Sequence, residues 1–336
     1  MERRERSRTS GIEATDATES PQEVLSARTV RSIVLFAVAG ALLYVGATMA
    51  SNWQATLHAL VTFPLTRLTL VLVLVVGGWG MRGWRFHYYL QKSDSPVPFW
   101  YAVETFLAGF ALTGTPGKLG EAVKGVFLKQ DYGVPVTRVV GIVMMERLMD
   151  LWGVLLLGSV SLLLFGSGQR LFLACAAVVL FGGVFLCMEQ VYRPVLQRMG
   201  RLPGLGWITT RVLGILVTGR ELMTPRIFMV GLGVSTIAWA MESLSLFVIF
   251  QSLGLPVTML EANFIYCVST LVGALSMLPG GIGSAEASMI GLLDFLGISY
   301  GAGLPAVILI RLCTLWFAVL VGLCFMVRLT LRSRTR

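Results

Sequence analysis

The sequence predicts an all-α polytopic membrane protein, and three observations indicate this fold class. Of the 336 residues, 55% are hydrophobic and only 13% are charged, whereas soluble domains carry about 25% charged residues. The mean hydropathy is +0.77. The apolar residues also form runs long enough to cross a bilayer, which takes about 20 residues in a helix. We therefore expect one membrane domain over residues 31–330, between a disordered cytoplasmic tail at 1–30 and a basic cytoplasmic end at 331–336.

Six apolar runs predict full transmembrane helices: 32–50, 68–88, 137–165, 169–189, 226–252 and 304–329. Two further apolar stretches, 98–130 and 260–297, contain Pro-Gly pairs at Pro116-Gly117 and Pro279-Gly280. Proline and glycine interrupt helices, so neither stretch is expected to be one continuous helix. The sequence predicts two re-entrant hairpins, or alternatively eight spans if 260–278 and 282–297 each cross.

The distribution of Lys and Arg predicts the orientation. The net charge is +9, and the basic residues cluster in the N-terminal tail, the 190–225 loop and the C-terminus. The loops near 51–66 and 252–259 contain no Lys or Arg. By the positive-inside rule, both termini are expected on the cytoplasmic side of the cell membrane.

Two pairs of motifs indicate an internal repeat, with halves at about 31–165 and 169–329. Both halves contain P-G-x-x-G, at Pro116–Gly120 and Pro279–Gly283. Both then contain R-L-x-x-L-W, beginning at Arg147 and at Arg311. The predicted topology runs the two helices in opposite directions, so the repeat is expected to be inverted. Inverted repeats with broken helices are typical of transporters.

Charged residues inside the apolar runs are the candidate site residues, because a charge at mid-bilayer costs about 2.5–3.5 kcal/mol or more unless it is paired. Arg147 and Asp150 are three residues apart and are expected to pair on one helix face. Glu146 adds a second carboxylate, and Lys118, Lys124 or Arg311 is expected to neutralise it. Glu104 and Glu242 also lie in apolar runs but belong to no motif. The complete set is Lys118, Glu121, Lys124, Glu146, Arg147, Asp150, Glu286 and Arg311.

The Gly-rich breaks form a second group of candidate residues. A helix that begins after such a break presents unpaired backbone N–H groups, which favour a phosphate. The residues are Pro116, Gly117, Gly120, Pro279, Gly280, Gly281 and Gly283. No catalytic or metal-binding motif accompanies them, so we expect no cofactor and no metal. The segment with Arg82, Trp84, Arg85, His87, Tyr88 and Tyr89 is interpreted as an interfacial belt.

Three of these motifs together resemble the lysylphosphatidylglycerol synthase transmembrane (flippase-like) family. They are Gly120-Glu121-Ala122-Val123-Lys124, Glu146-Arg147-Leu148-Met149-Asp150 and Pro279-Gly280-Gly281-Ile282-Gly283-Ser284-Ala285-Glu286. The resemblance includes the flippase half of the multiple peptide resistance factor, and it covers about residues 31–330. Since no soluble aminoacyl-transferring domain follows, we expect no synthase activity.

The resemblance implies a translocase that moves a phosphate-bearing lipid between leaflets, either an aminoacyl-phospholipid or a polyprenyl- or glycolipid. A separate lipid-modifying enzyme is a possible partner, and no nucleic-acid partner is expected. Two alternatives stay open: a membrane-embedded transferase that uses a lipid-linked donor, and a small-solute transporter.

Overall fold

The computed structural model describes residues 53–113, 123–162 and 206–334, with a few single positions between 173 and 198. Every regular element in these ranges is a helix. The α-helices are α1 Trp53–Val61, α2 Leu65–Lys92, α3 Phe99–Ala108, α4 Val123–Tyr132, α5 Val136–Leu162, α6 Gly206–Glu221, α7 Pro225–Ser252, α8 Met259–Leu275, α9 Ser284–Phe295, α10 Tyr300–Arg311 and α11 Phe317–Arg334.

Prolines and a capping box set several helix starts. Pro64 and Pro98 immediately precede α2 and α3, and Pro225 is the first residue of α7. Proline suits a first helical turn because its missing N–H has no partner there in any case. At α8, the Thr258 hydroxyl accepts from the backbone N–H of Glu261, and the Glu261 carboxylate accepts from the backbone N–H of Thr258. These signals therefore place the helix starts from local sequence alone.

Three continuous helical segments in the described ranges are long and apolar enough to cross a membrane: Leu65–Lys92, Pro225–Ser252 and Tyr300–Arg332. They confirm that the predicted runs 68–88, 226–252 and 304–329 are helical. Helix α5 has 27 residues, but Glu146, Arg147 and Asp150 lie in every window of 18 residues along it. The predicted spans 32–50 and 169–189 lie outside the described ranges.

The predicted interruption of 260–297 is confirmed. Helix α8 ends at Leu275, a single tight turn follows at Pro279–Gly281, and α9 begins at Ser284 and packs against α8. The stretch 98–130 is also discontinuous, because α3 ends at Ala108 in a short 3-10 turn. Its Pro116-Gly117 pair lies outside the described ranges.

Helix α7 is central, and it packs against α2, α5, α8 and α10. Small residues permit these contacts: a Cβ at Gly78 of α2 would lie 3.3 Å from the carbonyl oxygen of Ala238 on α7. Close approach at small residues is the usual way in which membrane helices associate. The final helical segment is widened by a π-turn at Leu312–Trp316, between α10 and α11. This turn lies directly after Arg311, and both face the cavity described below.

Candidate functional site

A cavity of about 290 Å³ lies between α2, α5, α7, α8 and the α10–α11 segment, beside the Pro279–Gly281 turn. Most of its wall is apolar or aromatic, including Trp79, Phe110 and Trp239. Five charged side chains also line it: Arg82, Arg147, Asp150, Glu242 and Arg311. A cavity that combines guanidinium groups with an apolar wall fits a ligand that is itself part anionic and part apolar.

The first charged pair joins α2 to α7. Arg82 Nη1 lies 2.6 Å from Glu242 Oε1, and the guanidinium carbon lies 4.2 Å from the centroid of the Trp239 ring. Tyr266 of α8 donates its hydroxyl to the other oxygen of the Glu242 carboxylate. Arg82 is only 7% exposed, and its Nε and Nη2 have no hydrogen-bond partner among the described residues. Arg82 therefore retains capacity to donate to an anion.

The second pair lies within α5. Arg147 Nη2 is 3.3 Å from Asp150 Oδ2, as the three-residue spacing predicts. The other oxygen of the Asp150 carboxylate accepts from Arg85 Nη1 at 2.8 Å and from the Ser235 hydroxyl at 3.2 Å. Arg85 also donates to the Ser235 hydroxyl. Asp150 thus joins a cation of the cavity wall to one that is completely buried.

A buried layer of charge lies behind this wall. Lys124 Nζ is 3.2 Å from Glu146 Oε2, and Arg85 Nη2 is 3.7 Å from Glu146 Oε1. The Lys124 ammonium also lies 4.5 Å from the centroid of the Phe106 ring. Lys124, Glu146 and Arg85 are 0% exposed. Such a network costs desolvation energy, and losing one partner would leave an uncompensated buried charge.

The third pair stabilises the break between α8 and α9, which contains the Pro279–Gly281 turn. Arg311 donates from Nε to Glu286 Oε1 at 2.6 Å and from Nη2 to the Gly280 carbonyl at 2.7 Å. The Glu286 carboxylate also accepts from the backbone N–H of Gly283 at 2.8 Å. One guanidinium therefore links α10 to both the turn and the start of α9.

The cavity reaches the surface beside this break. Met277 and Leu278 line it and are 60% and 46% exposed. Met277 is held at a φ of +55°, a conformation that non-glycine residues adopt rarely. Since the exposed side chains at the opening are apolar, the opening faces an apolar medium more favourably than water.

The structure brings only some of the predicted site residues to the cavity. Arg147, Asp150 and Arg311 line it, together with Gly280 and Gly281. Glu286 contacts Arg311, while Lys124 and Glu146 pair in the buried layer behind it. Pro279 and Gly283 belong to the break and its end. The predicted residues Pro116, Gly117, Lys118, Gly120 and Glu121 lie outside the described ranges.

The interpretation of Arg82 and Arg85 as part of an interfacial belt is wrong. Both are buried, because α2 turns them towards α7 and α5, where Glu242 and Asp150 lie. Trp84, by contrast, is 42% exposed. The signal that finds Arg82 and Arg85 is their position inside a predicted span, since intramembrane cations normally have partners.

The two acidic residues without a motif have different positions. Glu242 lines the cavity and binds Arg82. Glu104 lies elsewhere, 3.0 Å from Arg328 and 3.7 Å from Arg332, and links α3 to the end of α11. Only Glu242 therefore joins the candidate site.

Comparisons with known proteins agree with the membrane assignment. The family model of the lysylphosphatidylglycerol synthase TM region matches residues 30–322. A UPF0104 membrane protein of Methanocaldococcus jannaschii is 24% identical over 224 residues, which cover 62% of this chain and 88% of that protein. One of Pyrococcus horikoshii is 24% identical over 269 residues, 71% of this chain and 79% of that protein. One of Methanothermobacter thermautotrophicus is 36% identical over 92 residues, a match that spans only 27% of each protein.

Proposed function

We propose, from the premise that this chain belongs to the lysylphosphatidylglycerol synthase TM region family, that it is a lipid translocase of the flippase or scramblase type. In this proposal it moves a phosphate-bearing lipid between the leaflets of the cell membrane. The observation that carries the proposal is the cavity of about 290 Å³, in which three arginines lie among apolar walls.

The polar part of the cavity suits a lipid phosphate. Guanidinium groups present several N–H donors in a planar fork that matches phosphate oxygens. Arg82, Arg147 and Arg311 all line this one space. Each also binds a carboxylate, at 2.6 Å, 3.3 Å and 2.6 Å. These carboxylates hold the cations in place, and Nε and Nη2 of Arg82 have no acceptor among the described residues.

The apolar part suits the lipid tails. The walls contain Trp79, Phe110 and Val154, and the opening is flanked by the exposed side chains of Met277 and Leu278. A head group in the cavity would therefore leave its acyl chains in the membrane. This arrangement lowers the main cost of leaflet exchange, the passage of a charged head group through hydrocarbon.

The motif pair supports an inverted-repeat mechanism. Arg147 and Arg311 begin the two R-L-x-x-L-W segments, 164 positions apart, and both line the same cavity. In transporters with inverted repeats, substrate binds near the midplane where the halves meet. We propose that the cavity is this meeting point, and that access alternates between leaflets around it.

The transferase alternative needs a carboxylate that acts as a base. Glu286, one candidate, already accepts from Arg311 and from the backbone N–H of Gly283. These hydrogen bonds occupy both oxygens of the carboxylate, so the translocase is the better proposal.

The test is leaflet exchange in proteoliposomes, with fluorescent phosphatidylglycerol quenched from outside. We expect the wild-type protein to move the label and Arg147→Ala to fall to the rate of protein-free liposomes. Arg328→Ala is the matched control, because Arg328 is 64% exposed on its side chain and lies outside the cavity. Equal exchange by the wild type and Arg147→Ala would contradict the proposal.

Uptake assays separate the remaining alternative. A small-solute transporter would accumulate labelled inorganic phosphate inside the same vesicles without moving any lipid. That result would overturn the translocase proposal.

A further inference from the structure

The connection between α2 and α3 has the same sequence pattern and the same geometry as the connection between α7 and α8. The segments Gln91–Val97 and Gln251–Val257 both read Q-x-x-x-x-P-V, 160 positions apart. In each segment the glutamine amide donates to the valine carbonyl, at 3.3 Å in the first and 3.0 Å in the second. The middle residue of each has a positive φ, +51° at Asp94 and +69° at Gly254. Positions 160 apart in these two pairs of helices are therefore equivalent.

Equivalent positions also line the cavity in pairs. Trp79 of α2 and Trp239 of α7 are one such pair. Along α5 and the α10–α11 segment the equivalent positions are 164 apart, as in the two R-L-x-x-L-W motifs, and four such pairs line the cavity, beginning with Arg147 and Arg311. The cavity therefore lies between two equivalent sets of helices.

Helices α2 and α7 are equivalent but pack against each other in opposite directions. In one part of their contact the Tyr89 hydroxyl lies against Gly231, and in another a Cβ at Gly77 would lie 2.6 Å from the Met241 Cε atom. Residue numbers thus rise along α2 as they fall along α7. Equivalent helices that run antiparallel are related by a two-fold axis perpendicular to both, which is the arrangement that an inverted repeat requires.

Two contacts between α2 and α7 join a residue to its own equivalent. A Cβ at Gly78 would lie 3.3 Å from the carbonyl oxygen of Ala238 and 3.8 Å from its Cα. One turn further along each helix, Arg82 Nη1 lies 2.6 Å from Glu242 Oε1, and these two positions are also 160 apart. In a two-fold arrangement a residue meets its own equivalent only beside the axis. These contacts therefore place such an axis between α2 and α7, at the level of the cavity.

Contacts at the axis have a special property when two equivalent halves exchange conformations. Transporters with inverted repeats alternate largely by rocking one half against the other around a fixed site. In such an exchange, a contact between two different positions is replaced by the contact between their equivalents. A contact between equivalent positions is replaced by itself, so it persists in both states.

We propose that Arg82 and Glu242 form the fixed pivot of two inverted halves, α2–α5 and α6–α11. As a positioning pair they keep their ion pair while the cavity opens first to one leaflet and then to the other. This inference rests on the proposed function and specifies how access to the site alternates. The burial of the pair agrees with it, because the side chains are 8% and 5% exposed and breaking a buried pair in each cycle would be costly.

The first experiment locks the two halves at the axis. Gly78→Cys with Ala238→Cys, in a chain whose native cysteines are replaced by Ala, places two thiols at a separation that suits a disulfide, whose Cβ atoms are about 3.5–4.5 Å apart. The measurement is leaflet exchange of fluorescent phosphatidylglycerol in proteoliposomes, before and after oxidation. We expect the oxidised and reduced forms to exchange lipid at the same rate, because the pivot does not open.

The matched control locks the halves away from the axis. Gly141→Cys with Thr218→Cys joins α5 to α6, where a Cβ at Gly141 would lie 2.7 Å from the Thr218 Cβ. Oxidation of this variant should reduce exchange to the rate of protein-free liposomes, and reduction should restore it. A salt bridge with only a structural role does not predict this difference between the two disulfides.

The second experiment tests the equivalence of the pair without any transport assay. Arg82→Glu with Glu242→Arg reverses the pair, and the new arginine meets Trp79 as Arg82 meets Trp239. We expect the melting temperature in detergent to stay within about 4 °C of the wild type, whereas Arg82→Glu alone should lower it much further. The control reversal, Arg85→Asp with Asp150→Arg, joins positions that are not equivalent and should not recover.

Three results would overturn the inference and leave the translocase standing. They are loss of exchange when the Gly78–Ala238 disulfide forms, continued exchange when the Gly141–Thr218 disulfide forms, and a reversed Arg82–Glu242 pair as unstable as Arg82→Glu alone. Absence of lipid exchange by the wild type would instead contradict the proposed function, and the melting temperatures would then decide the equivalence by themselves.

Discussion

The two R-L-x-x-L-W segments have nearly the same sequence but hold their arginines differently. Arg147 binds Asp150 of its own helix, in a segment that stays α-helical. Arg311 binds Glu286 across to α9, and its segment widens into a π-turn. The position that matches Asp150 is Thr314, whose hydroxyl donates to the carbonyl of Ile310 at 2.7 Å.

This difference shows that the same motif can hold its arginine in two ways, within one helix or across to another. The first segment is rigid, because Asp150 is also bound by the fully buried Arg85. The second is coupled to a chain break, because Arg311 donates to the Gly280 carbonyl. We infer that Arg147 is a fixed anchor, and that the contacts of Arg311 change when the break changes conformation.

The largest effect is expected when Asp150 is changed to Asn. Arg85 and Arg147 would then share no carboxylate, and breaking a buried ion pair costs about 3–5 kcal/mol. The measurement is the free energy of unfolding in detergent micelles, from denaturant titration followed by tryptophan fluorescence. A loss under about 1 kcal/mol, the value of an exposed pair, would show that the first segment is not a rigid anchor.

A smaller effect is expected for Glu286→Gln. The Glu286 side chain is 16% exposed, and Arg311 keeps the Gly280 carbonyl as an acceptor. We therefore expect a loss of about 1.5–3 kcal/mol in the free energy of unfolding, typical of a hydrogen bond to a charged group. The same titration checks this value. If Glu286→Gln destabilises the protein more than Asp150→Asn, then Arg311, and not Arg147, is the more rigidly held arginine.

The break itself is tested by Gly281→Ala. Gly281 has a φ of +65°, and a Cβ there would lie 3.0 Å from the backbone Cα of Gly273. We expect a loss of about 1–3 kcal/mol from backbone strain, with a further steric cost. Gly283→Ala is the control, because its φ is +87° but no atom lies within 4 Å of the added Cβ. Equal losses in both variants would show that the close approach of α8 to the turn contributes nothing.

The comparison is sharpened by making the second segment like the first. Thr314→Asp places a carboxylate three residues after Arg311, as Asp150 follows Arg147. Since Thr314 lines the cavity, the added carboxylate would compete with a lipid phosphate for Arg311. We expect the exchange rate of fluorescent phosphatidylglycerol in proteoliposomes to fall about tenfold, or about 1.4 kcal/mol. Thr330→Asp, on α11 outside the cavity, should retain the wild-type rate.

Much of the helical framework is predictable from local sequence. The predicted run 226–252 differs by one residue from Pro225–Ser252, and 137–165 agrees with the start of Val136–Leu162. Apolar runs and prolines fix these bounds because both act locally. The sequence also predicts the pairing of Arg147 with Asp150, which is confirmed. For the second carboxylate it leaves Lys118, Lys124 and Arg311 open as partners, and the structure places Lys124 against Glu146.

The pairs between distant helices were not predictable from the sequence. Arg82 and Glu242 are 160 residues apart, and Arg85 and Asp150 are 65 apart. Helical periodicity shows which residues share a face of one helix, but not which helix that face meets. The inverted repeat, the number of crossings and the orientation of the termini stay predictions.

The most direct test of the central claim is to fill the cavity. Ala274 lines it at its exposed side, whereas the adjacent and also exposed Leu275 does not line it. We would measure exchange of fluorescent phosphatidylglycerol in proteoliposomes with Ala274→Trp and with Leu275→Trp. The account predicts that Ala274→Trp falls to the rate of protein-free liposomes while Leu275→Trp stays near the wild type. Wild-type exchange by Ala274→Trp would show that the head group does not pass through this cavity.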